Sequence, residues 1–181
     1  MIATDDLRHE HDAVLRMLRV LEAVAVRPPA MDDVQPLQAA LGFLRGFVDA
    51  CHHHKEEELL VPALVNSGVS HAIEMAAQLL VEHDRGRELV ALLGAHLDRA
   101  SAGEPLALGG VGGLIGQYAK MLYAHIDFEN NTVFPLADEV LSPAVQEDLA
   151  EGYERIEREV IGEGRHEEFH ALLERLEAAY L

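Results

Sequence analysis

A single cysteine, Cys51, excludes any disulfide within the chain, as suits a reducing compartment. Tryptophan is absent, and only four tyrosines and five phenylalanines are present. Basic residues are few: 14 Lys and Arg against 32 Asp and Glu leave a formal net charge of -18. Such a chain repels phosphate backbones, so nucleic acid is not an expected partner. No basic amphipathic stretch is available for an anionic membrane surface. No apolar run approaches the roughly 20 residues of a membrane-spanning helix. The opening residues MIATDDLRHEHD lack an apolar signal core. A cytoplasmic protein is therefore expected. Period-two alternation, the mark of half-buried strands, is also missing.

What remains is helical periodicity along nearly all of the 181 residues. Thr4 reads as the N-cap of a helix that Pro28 and Pro29 end. A second helix follows Asp32-Asp33, carries Pro36 in its first turn and runs to about Gly68, with Pro62 loosening its last turns. A third runs from Ser70 to about Ala100. A glycine-rich, flexible stretch over 109–113 precedes a fourth, which reaches about Asn131 and continues to Val140 with a proline bend. Ser142-Pro143 is a cap followed by proline at the first helical position. Gly162 and Gly164 separate that fifth helix from a last one over about 165–179. Short connections make neighbours antiparallel. The expected fold is all-α: an up-down-up-down four-helix bundle over 1–141, with a C-terminal helical pair over 142–181 packed against it.

Eleven histidines in so acidic a chain are unusual. Two segments share one pattern: His52-His53-His54-Lys55-Glu56, with Pro62 six residues on, and His125-Ile126-Asp127-Phe128-Glu129, with Pro135 six residues on. No longer internal repeat is evident. A histidine and a carboxylate four apart share a helix face. On the second helix His52 and Glu56 interrupt the apolar stripe Leu44, Val48, Leu59, Ala63. On the fourth, His125 and Glu129 interrupt Leu114, Tyr118, Met121. His11 lies on the inward stripe of the first helix with Leu7, Val14 and Leu18. His83 lies on that of the third with Ala76 and Leu79. Buried carboxylates and imidazoles each carry a desolvation cost that a metal offsets. Six or seven ligands of mixed nitrogen and oxygen type are too many for one ion. The expected metal ligands are His11, His52, His53, Glu56, His83, His125 and Glu129, holding two ions with Glu56 and Glu129 as bridges. Twelve coordination positions then assign His11, His52 and His125 to one ion and His53 and His83 to the other, which keeps an open position.

The remaining candidates read differently. His54 is expected half-buried, and Glu57 and Glu58 outside the ligand set. His9, His71 and His96 are expected on the surface. Tyr118 is either a neighbour of the site or a packing residue. Cys51 is a poor ligand where hard carboxylates dominate. His166-Glu167-Glu168-Phe169-His170 matches the zinc-protease helix motif, but no later histidine follows it. It reads as a packing helix whose histidines flank the site at most.

Taken together, Arg8-His9-Glu10-His11, the segment from His52 to Pro62, Glu82-His83 and the segment from His125 to Pro135 resemble the hemerythrin-like proteins with the HHE cation-binding domain. The resemblance covers about residues 5–140. It implies a four-helix bundle with two non-haem iron ions, carboxylate-bridged and oxo- or hydroxo-bridged, and chemistry with oxygen, peroxide, nitric oxide or iron itself. The invertebrate oxygen carriers have a second histidine where this chain has Arg87, and an aspartate five residues after the last histidine instead of Glu129 at four. The sequence is more similar to bacterial and iron-sensing members. The expected function is binding or sensing of a small diatomic ligand or peroxide, with peroxidase- or catalase-like turnover within its range. An iron-responsive interaction module with an unidentified protein partner, and oxygen or iron storage, are the alternatives.

Overall fold

The computed structural model describes residues 2–162 and 164–181. Among them there is no strand, and the chain is a series of helical rods. We label these α1 (Ala3–Ala25), α2 (34–66), α3 (Ser70–Ser101), α4 (111–140), α5 (143–161) and α6 (Arg165–Tyr180). None is long and apolar enough to cross a membrane.

The order of burial along each rod shows the up-down topology. One hydrophobic core takes Val14–Val24 side chains from α1, Leu37–Val48 from α2, Leu89–Leu97 from α3 and Val111–Ile126 from α4. A second takes Leu7 from α1, Leu60 and Leu64 from α2, Ala76 and Leu79 from α3, and Val133–Ala137 from α4. Each successive helix meets the two cores in the opposite order, so neighbours are antiparallel. The histidines and glutamates of the repeat fall between the cores, forming one polar layer in an otherwise apolar bundle.

α2 and α4 are not uniform α-helices. Wider π-helical turns occupy Leu44–His53 and Glu56–Leu60 in α2 and Glu129–Val133 in α4. The two prolines explain two of them. A proline inside a helix lacks an N–H and its ring collides with the carbonyl four residues back. Widening the turn relieves this: the Val61 amide donates to the Glu56 carbonyl and the Phe134 amide to the Glu129 carbonyl, each five residues back. The spacing of glutamate and proline in both segments thus puts a π turn immediately after each inward carboxylate. Such turns recur at functional sites.

Three local expectations change. Thr4 lies inside α1 and makes no cap bond; its hydroxyl donates to Asp138 Oδ1 at 2.6 Å, tying α1 to α4. The glycine-rich stretch is ordered by its apolar residues: Ala107, Leu108 and Val111 are buried, a 3-10 turn fills Pro105–Gly110, and Gly112 and Gly113 lie inside α4. His96 is half-buried and donates through Nδ1 to the Ala107 carbonyl at 2.6 Å, pinning this turn. Ser142 does cap α5, accepting from the Val145 amide. α5 and α6 pack closely on the bundle: a Cβ on Gly152 would lie 2.6 Å from Leu59, and one on Gly46 would collide with the Phe169 ring.

Candidate metal centre

Seven side chains from four helices meet in the polar layer: His11 from α1, His52, His53 and Glu56 from α2, His83 from α3, and His125 and Glu129 from α4. All are buried, the two glutamates completely. Their donor atoms form two groups, each with every atom within 4.8 Å of the others: His11, His52, Glu56 and Glu129, and His53, Glu56, His83 and His125. Glu56 belongs to both. Its Oε1 lies 3.6 Å from His52 Nε2 and its Oε2 lies 3.3 Å from His83 Nε2. Glu129 reaches across in the same way, 3.1 Å from His11 Nε2 and 3.2 Å from His125 Nε2. The structure therefore divides the histidines differently from the count of coordination positions: His125 sits with His53 and His83, leaving His11 and His52 as the pair. The rings themselves show the division: His11 and His52 face each other through Nε2, while His53, His83 and His125 cluster with ring centroids 4.0 to 5.7 Å apart.

The outward ring nitrogens are held. His52 Nδ1 donates to Glu10 at 2.8 Å, His83 Nδ1 to Glu57 at 2.7 Å, and His125 Nδ1 to Glu82 at 2.8 Å. His11 Nδ1 meets Asn130 Oδ1 at 2.9 Å. A donor bond at Nδ1 fixes the ring's orientation and aims Nε2 inward, where loss of its proton gives the lone pair that metal-ligating histidines require. The facing Nε2 atoms of His11 and His52 are 3.0 Å apart. Nine buried side-chain atoms lack a hydrogen bond among the described residues, and eight belong to this layer: both nitrogens of His53, both oxygens of Glu56 and of Glu129, and Nε2 of His83 and His125. Buried polar atoms are ordinarily satisfied, so these fit a cation the chain is shaped to receive. Imidazole nitrogen with carboxylate oxygen suits iron and its neighbours among the divalent metals.

These contacts show a two-fold repeat that the sequence hid. Glu10 holds His52 as Glu82 holds His125, and Asn130 and Glu57, each one residue past an inward glutamate, hold His11 and His83. His53 breaks the symmetry, since its counterpart on α4 is Ile126, a core residue. His53 is also the least anchored: its Nδ1 is 3.6 Å from Asp49, and its ring stacks on His83 with centroids 4.0 Å apart.

Electrostatics follow from this crowding. Burial disfavours charge on His83 and His125, but Glu56 and Glu57 around one, and Glu129 and Glu82 around the other, outweigh it. The two titrate at about 9 and about 10. Burial, only partly opposed by Asp49, depresses His53 to about 3, with the neighbouring imidazoles adding to it. Glu129, despite burial, is held well below the usual carboxylate range by His125 and His11. Without metal, protons on His83 and His125 meet the carboxylate charge, so a cation entering this layer displaces protons.

Glu58 is exposed, and His9 and His71 lie on the surface as expected. His54 is half-buried. Glu57, expected outside the ligand set, is half-buried and bonds both His83 and Arg87. Tyr118 is buried, and burial raises its hydroxyl; it lines a small cavity of about 20 Å³ with His53, Asp49 and Arg87. Cys51 is buried and, chiefly through burial, its thiol is pushed up to about 12. Glu10 and Lys55, both buried, were not legible as site residues. Glu10 follows Leu7 by three and precedes Val14 by four, a spacing that could have placed it inward. Lys55 carries no such signal, because a lysine in a charged run reads as surface.

The fold and layer define a class: a helical bundle with an internal histidine–carboxylate centre. The chain matches the hemerythrin HHE cation-binding domain over residues 2–137 and belongs to that family. It is also 28% identical over 164 residues to uncharacterised proteins of Mycobacterium bovis and Mycobacterium tuberculosis, covering 89% of this chain. The chain spans 63% of the length of these relatives. No solved structure matches it.

Proposed function

We propose that the layer holds two iron ions and that the protein binds or senses oxygen, peroxide or nitric oxide there. The observation that carries this reading is the sharing of both buried glutamates between two sets of inward ring nitrogens. His11 and His52 would hold one ion, and His53, His83 and His125 the other, each with one oxygen from Glu56 and one from Glu129. The first ion has four protein donors and the second five. Iron with such ligands favours six positions, so the ion held by His11 and His52 would keep one more position open for a small molecule. Two irons would supply one-electron redox chemistry and Lewis acidity toward such a ligand. The chain's own contribution is to fix the tautomer of His11, His52, His83 and His125 and to exclude bulk water by the two apolar cores. The test is elemental analysis of protein expressed with iron, together with its near-ultraviolet and visible spectrum before and after azide. Two irons per chain and a new azide band are expected. One zinc and no iron would overturn the reading.

A second reading, an iron-responsive interaction module, is favoured by the contacts of α5 with Lys55 and of α6 with Glu10, the residues that flank this layer. Metal-dependent partner capture without turnover of peroxide would support it over the first.

A further inference from the structure

α5 and α6 lie beyond the span that matches the family, yet they contact Lys55 and Glu10 beside one side of the metal layer. His52 Nδ1 donates to one oxygen of Glu10. The other oxygen, Oε1, accepts from Lys55 Nζ at 2.6 Å and lies 3.5 Å from His166 Nε2 on α6. Lys55 Nζ donates in addition to Glu157 on α5 at 2.5 Å. Lys55 is fully buried, and these two carboxylates are its hydrogen-bond partners. A buried ammonium is tolerated only with such pairing, so its position is set jointly by Glu10 and Glu157. The equivalent carboxylate on the other side, Glu82, bonds only Gln78 besides His125 among the described residues, and both Glu82 and Gln78 lie on α3. Among the described residues the added helices thus bond to the outer carboxylate on the His11/His52 side and not to its counterpart Glu82.

Resting on the two-ion reading, we propose that α5 and α6 are a tuning arm for the metal position held by His11 and His52. Glu157 and His166 are positioning residues. They set the place and charge balance of Glu10, which orients His52. The close seats of Gly46 under Phe169 and of Gly152 against Leu59 hold the arm at the distance this requires. Without Glu157, the Lys55 ammonium has Glu10 alone and draws it from His52. Without His166, Glu10 loses a neighbour on the same oxygen.

The test uses the full chain loaded with iron. Iron per chain is measured against increasing chelator, and azide affinity from the charge-transfer band, for the wild type, Glu157→Gln, His166→Ala and Arg87→Ala. Arg87 is the control for the other side, because it bonds Asp49 and Glu57 beside His53 and His83. Outer partners of metal ligands typically contribute about 10- to 100-fold in affinity. Glu157→Gln and His166→Ala should release one iron at roughly ten-fold lower chelator, keep the other, and bind azide less tightly. Glu157→Asp should recover part of the loss. Arg87→Ala should loosen the other iron. Melting curves run in parallel; should Glu157→Gln fail to fold, the partly exposed His166 carries the test. Loss of both irons together, in step with melting temperature, would show a merely structural role and overturn the proposal. So would wild-type behaviour in both variants, with the two-ion reading still standing. A wild type that holds a single ion would overturn both.

Discussion

At the residue scale, what matters at each histidine is the far side of its ring. His83 is aimed by Glu57, and Glu57 in turn by Arg87, whose guanidinium bridges Glu57 and Asp49 at 2.6 and 2.7 Å. Glu57→Ala should therefore weaken the ion beside His83 by about 10- to 100-fold, whereas Glu58→Ala, at an exposed position, should leave metal binding unchanged. Competition with a chelator of known affinity measures both. The inward histidines and glutamates were legible because a four-residue spacing fixes a helix face whatever the rest of the fold does. Glu57 was not: its partners are on α3, and nothing in the run of three glutamates says which one faces a neighbouring helix.

At the scale of the element, Pro62 and Pro135 do more than bend the ends of α2 and α4. Each follows a π turn whose first residue is an inward glutamate. Restoring a normal turn would rotate that carboxylate relative to the histidine one turn before it. Pro62→Ala or Pro135→Ala removes a residue that costs about 3 kcal/mol in a regular helix interior. The metal-free variants should melt higher than the metal-free wild type, yet bind iron less tightly. Thermal melts with and without iron would show the two effects in opposite directions. An equal shift in both forms would mean that the wide turns serve only to accommodate proline.

At the scale of the whole molecule, two apolar cores enclose a layer containing two carboxylates with no exposed surface. Stability and metal occupancy are consequently linked. A ligand that binds only the native state at a thousand times its dissociation constant adds about 4.1 kcal/mol, and about 1 kcal/mol shifts the melting temperature by roughly 2–4 °C in a chain of this size. Verified removal of one such ion should lower the melting temperature by roughly 8–16 °C. Scanning calorimetry of the loaded and stripped protein measures this. No change on stripping would count against a buried centre.

The sequence by itself made the helices legible, because period and prolines act over a few residues, although Thr4 lies inside α1 instead of capping it. It also determined which histidines and glutamates point inward, because a helix face is a local property. It did not determine how they group. His125 joined His53 and His83, not His11, because grouping depends on which rings meet inside the layer, here three with centroids 4.0 to 5.7 Å apart. Nor did it determine the carriers of the outward bonds. Glu10, Glu57 and Glu82 reach histidines on other helices, and Lys55 is buried between Glu10 and Glu157, the latter brought to it by α5. Those contacts join residues 26 to 102 positions apart in the chain, and only the packed bundle brings them within hydrogen-bonding distance.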